Sequence, residues 1–196
     1  YTATEEFSFP KKAEVKAISL DPVLLNRTPS PAPPPQSIIS TMSQATPPPF
    51  FTWVSSNLAA HGMPSSPDQM RYLADNGIRY LVSLTTECRP PVEATPNVTW
   101  VPIGIDDYHP PTLEQVVEFM RVMEEAEEKN QAVSVHCLRG RGRTGTMVAC
   151  YFIKMQKMSA AEAIAEVRHQ RPGSVETVEQ ENLIRDYETF INKPSI

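Results

Sequence analysis

Ala132-Val-Ser-Val-His136-Cys137-Leu-Arg-Gly140-Arg-Gly-Arg143-Thr144 decides how this chain folds. Its first five residues are a short run built on the β-branched, apolar Val133 and Val135, the pattern of a buried strand. Residues 144–157 follow with Met147, Val148, Cys150, Tyr151, Phe152 and Ile153, apolar nearly all round, and predict a helix buried at the domain centre. In the loop between them, backbone amides and the helix's positive end converge on one point, which suits an anion. Gly140, Gly142 and Gly145 permit the tight, amide-inward turn of an anion-binding nest.

Cys137 opens that loop and Arg143 stands at its helical end. Converging amides, a helix dipole and a guanidinium all favour thiolate over thiol, so Cys137 is read as a nucleophile. Arg143 offers a planar fork that matches two phosphate oxygens at once. A nucleotide-binding loop would instead need Lys and then Ser or Thr after its last glycine. A zinc site is excluded because His136 and Cys137 are adjacent and point to opposite sides of a strand end. The proton for a leaving group comes from Asp106 or Asp107 in Gly104-Ile-Asp-Asp-Tyr-His-Pro-Pro111, where either also suits a turn before Pro110. His109 is a third candidate, at the rim.

Outward from the loop, residues 78–84 and 98–103 read as further strands. Helices are predicted over 67–76, from a Ser-Pro start to Gly77, and over 112–129, opening on the capping-box pattern Thr112-Leu-Glu-Gln115. Two more, at 159–170 and 178–191, are separated by Arg171-Pro-Gly173. This alternation predicts an α/β domain, a central mostly parallel twisted sheet flanked by helices.

Half of the 20 prolines fall in the first 50 residues, which contain no glycine. Residues 1–49 therefore read as a Pro-rich, disordered extension, with an apolar stretch at 13–25, and residues 50–196 as the domain. Charges balance in the extension, so the whole net charge of −5 belongs to the domain. That disfavours general nucleic-acid binding and anionic membrane surfaces. No apolar run approaches the roughly 18 residues that span a bilayer. Cys88, Cys137 and Cys150 lack paired spacing, which fits a reducing compartment, cytoplasmic or nuclear.

His-Cys, five residues, then Arg-Thr resembles the signature of the protein tyrosine and dual-specificity phosphatases. The chain is similar above all to the small, atypical VH1-like group that includes VHZ, through Phe51-Thr-Trp53, Leu81-Val-Ser-Leu84, Gly142-Arg-Thr-Gly-Thr-Met147, Ala163-Ile-Ala-Glu166 and Arg171-Pro-Gly-Ser174. The likeness covers about residues 50–190. It implies the cysteine-phosphatase fold and a reaction that needs no metal or other cofactor; the sequence does not name the oligomeric state, and a monomer is the simpler expectation. Cys137 would become a cysteinyl-phosphate, held by Arg143 and by a loop comprising Leu138, Arg139, Gly140, Arg141 and Gly142. Thr144 would help the thiolate leave. The family's mobile acid lies in an Asp-x-x-Pro-Pro context, which Asp107 matches and Asp106 does not.

Departures from the family pattern bear on the substrate. Glu176 stands where members with strict tyrosine preference carry a water-orienting Gln, leaving Gln180 as another candidate for that task. No Lys-Asn-Arg-Tyr loop walls a deep pocket, so a shallow site accepting phosphotyrosine, phosphoserine and phosphothreonine in phosphoproteins is expected. Arg139 and Arg141 make the loop unusually basic, and the family's phosphoinositide phosphatases share a basic residue at the position of Arg141. A phosphoinositide or RNA 5′-phosphate substrate is the alternative, and a phospho-dependent binding scaffold a third. Cys150 reads as a core residue, and Cys88 as a loop cysteine or a resolving thiol for Cys137.

Overall fold

The computed structural model describes residues 45–193. Most of the expected extension, including its apolar stretch at 13–25, lies outside them. The packed chain starts before the compositional break: Pro48 is buried, and the Pro49 carbonyl accepts the Gly62 N–H at 2.7 Å.

Five strands form one sheet: β1 (Thr52–Trp53), β2 (Leu58–His61), β3 (Ile78–Thr85), β4 (Thr99–Ile105) and β5 (Ala132–His136). Their order is β1-β2-β5-β3-β4, and only the β1–β2 pair is antiparallel. Five helices accompany them: α1 (Pro67–Asp75), α2 (Leu113–Glu128), α3 (Gly142–Gln156), α4 (Ala160–Gln170) and α5 (Val178–Ile191). One face of the sheet packs on α2 and α3 through fully buried residues such as Phe119, Met123, Val148 and Phe152, and α4 and α5 pack on α3 in turn. The other packs on Met70 and Leu73 of α1.

Strand parity sorts side chains to these layers. In β3, Tyr80, Val82 and Leu84 join the larger core and Leu81 the smaller. Ile78 also joins the smaller core, against simple alternation, because the β3–β5 register shifts between Ile78 and Tyr80.

Local signals set the helix starts. Ser66 caps α1 by accepting the Gln69 N–H, with Pro67 in the first turn. Thr112, Ser159 and Thr177 form complete capping boxes with Gln115, Glu162 and Gln180. Helix α3 begins at Gly142 rather than at Thr144, so Gly142 and Arg143 are the first residues of its opening turn.

Candidate active site

The parallel strands all deliver their carboxyl ends to one edge of the sheet. Gly62 follows β2, Glu87 lies just beyond β3, Asp107 beyond β4 and Cys137 immediately after β5. That edge is where open α/β sheets bind ligands.

Cys137 is buried at 3% exposure, and the Gly140 N–H donates to its Sγ at 3.2 Å. Gly140 has φ +72°, and a Cβ there would come within 2.5 Å of the His61 carbonyl. Only glycine satisfies both constraints. The His136 side chain turns away from the loop. Its Nδ1 lies 3.3 Å from the Cys137 carbonyl and its Nε2 2.7 Å from Ser83 Oγ, which also accepts the Trp100 indole N–H at 2.9 Å. Burial pushes its pKa down to about 4, so the ring is neutral. Only Nδ1–H can face a carbonyl, which leaves Nε2 to accept the Ser83 hydroxyl proton. This chain of bonds fixes the carbonyl at the start of the loop.

Arg143 is 1% exposed and is built into the sheet edge. Its Nη1 donates to the Ile105 carbonyl at 2.9 Å and to Glu87 Oε2 at 3.0 Å, and its Nη2 to Glu87 Oε1 at 2.8 Å. The Asp107 carboxylate lies 2.9 Å from the same Nη2. Burial opposes its charge, but Glu87, the charge at Cys137 and Asp107 outweigh that and raise its pKa. The Arg143 fork in turn holds Glu87 down to about 2. Arg143 Nε and Thr144 Oγ1 are buried with no hydrogen-bond partner in the structure.

The two neighbouring aspartates diverge. Asp106 Oδ1 faces the Thr86 hydroxyl at 3.4 Å, whereas Asp107 faces Arg143. Tyr108, between Asp107 and His109, has φ +62°. Arg139 reaches across to it, donating to the phenolic oxygen and lying 5.7 Å from the ring centroid. The His109 ring is exposed, with Nδ1 on the Asp107 carbonyl at 3.0 Å. Gln115 Nε2 donates to the Gly104 carbonyl at 2.7 Å and Gln180 Nε2 approaches the His109 carbonyl at 3.4 Å, so this segment is held at both ends.

Glu176 lies against the loop and accepts the Gly142 N–H at 3.0 Å. Gln180 is fully buried, and its Oε1 accepts the Glu176 N–H at 2.8 Å as part of the helix cap. Leu138 is 44% exposed beside these groups. The Arg141 guanidinium stacks 4.8 Å from the Phe50 ring centroid. Cys150 is fully buried in α3, where desolvation raises its pKa, and Cys88 is half-buried with its carbonyl bound by the Thr85 hydroxyl. Residues 137–144, Asp107 and Glu176 are thus brought together.

Glu87 and Tyr108 were not singled out by sequence reasoning, and Arg171 entered it only in a helix-breaking turn and as part of a matched segment. Arg171 is 6% exposed and donates to the carbonyls of Phe50, Ala60 and Gly140 at 2.7, 2.8 and 2.8 Å. An arginine in a Pro-Gly turn reads as a solvated surface charge, and nothing in its neighbours in sequence says otherwise. Among the described residues no helix is long and apolar enough to cross a membrane.

Residues 48–184 match the family described as PTP-SAK, Swiss Army Knife protein, DSP-PTPase phosphatase domain. The chain is 28% identical over 164 residues to the bovine protein tyrosine phosphatase domain-containing protein 1, covering 72% of this chain and 20% of that protein. It is 47% identical over 74 residues to the human dual specificity protein phosphatase CDC14C, covering 38% of this chain and 16% of that one. The chain thus spans about a fifth of the length of these relatives. Among solved structures, Tk-PTP in its active form superposes with TM-score 0.67 at 28% identity, over 72% of this chain and 97% of that one. PTPMT1 in complex with PI(5)P shares the fold at TM-score 0.66 and 21% identity, over 72% of this chain and 96% of that one. The chain belongs to the DSP-PTPase phosphatase domain family, within the cysteine-based tyrosine and dual-specificity phosphatases.

Proposed function

We propose that this domain hydrolyses phosphate monoesters of proteins, at phosphotyrosine and at phosphoserine or phosphothreonine, by way of a phosphorylated Cys137 and without a metal. One observation carries the reading: a single loop mouth gathers Cys137 Sγ, bound by the Gly140 amide at 3.2 Å, the Arg143 fork and the Asp107 carboxylate 2.9 Å from it.

In the first step Sγ attacks phosphorus, the bond to the ester oxygen breaks, and protonated Asp107 gives its proton to that oxygen. The loop amides and Arg143 stabilise the charge that spreads over the equatorial oxygens. In the second, water attacks the phosphocysteine, Asp107 takes the water's proton, and inorganic phosphate leaves as the thiolate re-forms. Thr144 Oγ1, buried and without a partner, is available to donate to that thiolate. Gln180 has its carbonyl committed to the helix cap, so Glu176 is the better placed of the two to orient the attacking water.

A phosphoinositide or RNA 5′-phosphate reading would draw on Arg139 and Arg141. Arg139 is engaged with Tyr108, which weakens it. The test is release of phosphate from p-nitrophenyl phosphate in EDTA, with Cys137→Ser as control and a panel of phosphopeptides, phosphoinositides and 5′-phosphorylated RNA alongside. Turnover in EDTA that Cys137→Ser abolishes, and a preference for phosphopeptides, is expected. Activity that EDTA removes, or a fully active Cys137→Ser chain, would refute the mechanism, and faster lipid or RNA turnover the substrate class.

A further inference from the structure

One side chain from each strand, or from the residue before it, forms a row across the sheet in strand order: Phe51 before β1, His61 of β2, His136 of β5, Ser83 of β3 and Trp100 of β4. The Phe51 and His61 rings stack with centroids 6.0 Å apart, and the His61 and His136 rings with centroids 5.4 Å apart and planes 10° from parallel. His136 then meets Ser83, and Ser83 meets Trp100. His61 takes no part in the steps described above, yet it is as fully buried as His136.

Burial, and after it the neighbouring His136, push the His61 pKa well below its ordinary 6.5, so the ring is neutral and carries one N–H. Nδ1 lies 2.7 Å from the Gly62 carbonyl and is therefore the donor. Nε2 is left as a buried acceptor with no partner. A phenyl ring would stack in this row without that unmet atom. Stacking alone thus gives no reason for a histidine, whereas the Nδ1–H does.

That N–H bears on the catalytic loop. The Gly62 carbonyl and the Met63 N–H belong to one peptide unit, and the Met63 N–H donates to the Leu138 carbonyl at 3.1 Å. The approach is close, since a Cβ on Gly62 would stand 3.3 Å from the same carbonyl oxygen. The His136 ring, on which His61 stacks, holds the Cys137 carbonyl through Nδ1 at 3.3 Å. In a trans peptide a carbonyl and the following N–H point in opposite directions. Bonds that hold the Cys137 and Leu138 carbonyls from outside the loop therefore turn the N–H groups of Leu138 and Arg139 inward, to the side where the Gly140 N–H meets Cys137 Sγ. We propose that His61 is a positioning residue of the catalytic loop, whose stacked ring and Nδ1–H together aim the Leu138 and Arg139 amides at the oxygens of the transferred phosphoryl group. Its effect on turnover rests on the phosphatase reading; the aim of the amides does not.

The two contributions separate by substitution. His61→Phe keeps the ring and loses the N–H, and His61→Asn keeps a donor near the place of Nδ1 and loses the ring. The Leu138 and Arg139 amide resonances would be followed by NMR as tungstate, a tetrahedral oxyanion that is not turned over, is added to the full chain and to each variant. Both resonances are expected to move in the wild type. His61→Phe is expected to lose the Arg139 response and keep that of Leu138, and His61→Asn to do the reverse. On p-nitrophenyl phosphate, kcat of His61→Phe is expected to fall about tenfold or more, short of the roughly 10²–10³-fold for removing an oxyanion donor outright, with a smaller change in KM. Its urea midpoint should stay near that of the wild type, because an unmet Nε2 is exchanged for an unmet Gly62 carbonyl. A histidine that serves packing alone would lose stability and turnover together. Responses intact in both variants, responses lost together in either, or a His61→Phe kcat within twofold of the wild type would overturn the assignment. An inactive wild type would refute the phosphatase reading and leave the tungstate responses to decide how the amides are aimed.

Discussion

Arg143 holds Glu87 on one edge and Asp107 on the other, and these two carboxylates have different work. Glu87 sits in a bidentate pair that lowers its pKa from the ordinary 4.5 to about 2. A depressed carboxylate stabilises the fold above its unfolded pKa and loses that contribution as pH falls towards its folded value. Urea midpoints should therefore drop between about pH 4.5 and pH 2 more steeply in the wild type than in Glu87→Gln, and parallel curves would exclude the linkage. Asp107, beside Arg143 at the loop, is the acid proposed above. Asp107→Asn should lower kcat by about 10²–10⁴-fold, as loss of a general acid does. Asp106→Asn should leave kcat within about twofold, and equal losses would mean the wrong aspartate has been assigned. Cys137 and Arg143 were legible because their chemistry lies within one short motif. Glu87 was not, because it stands 56 residues before its partner and no local pattern links them. The choice between Asp106 and Asp107 needed a family pattern in sequence, and in the structure it is a difference of direction.

Among elements, the capping box Thr112-Leu-Glu-Gln115 was read from spacing alone, and α2 starts where that box puts it; the boxes at Ser159 and Thr177 were not singled out. Strand β2 was missed: Leu58-Ala-Ala-His61 is short and has no β-branched residue, so its extended form comes from pairing with β5. The segment carrying Asp107 is tied at its ends by Gln115 and Gln180 and at its middle by Arg139 on Tyr108. Those bonds hold Asp107 beside Arg143 at the loop, where the proposed acid is needed. Arg139→Ala should accordingly lower kcat several-fold with a smaller change in KM. Tyr108→Phe, which keeps the ring and loses one hydrogen bond, should have a lesser effect. If Arg139→Ala changes only KM, the residue binds substrate and does not position the acid.

Over the whole molecule, the topology was legible in outline, since alternating strands and helices imply parallel strands with their functional ends together. What sequence could not supply is how distant parts are fastened. Arg171 reaches the segment before β1, the end of β2 and the catalytic loop from one buried guanidinium. Arg171→Met would remove three hydrogen bonds to carbonyls, those to Ala60 and Gly140 being buried, and a buried acceptor left unmet costs about 1–3 kcal/mol. A loss on the order of 3 kcal/mol or more is expected in urea denaturation, and a loss under about 1 kcal/mol would mean that the loop is held by other contacts.

The bond between Glu176 and the Gly142 amide has a consequence for how ligands are weighed. A loop amide already satisfied by a carboxylate of its own chain is not an empty receptor. An oxyanion that takes this amide does so by exchange with a tethered competitor, so its measured affinity is a difference between two anions rather than the strength of one. As product departs, the same carboxylate stands ready to retake the amide, and the phosphate need not be replaced there by water.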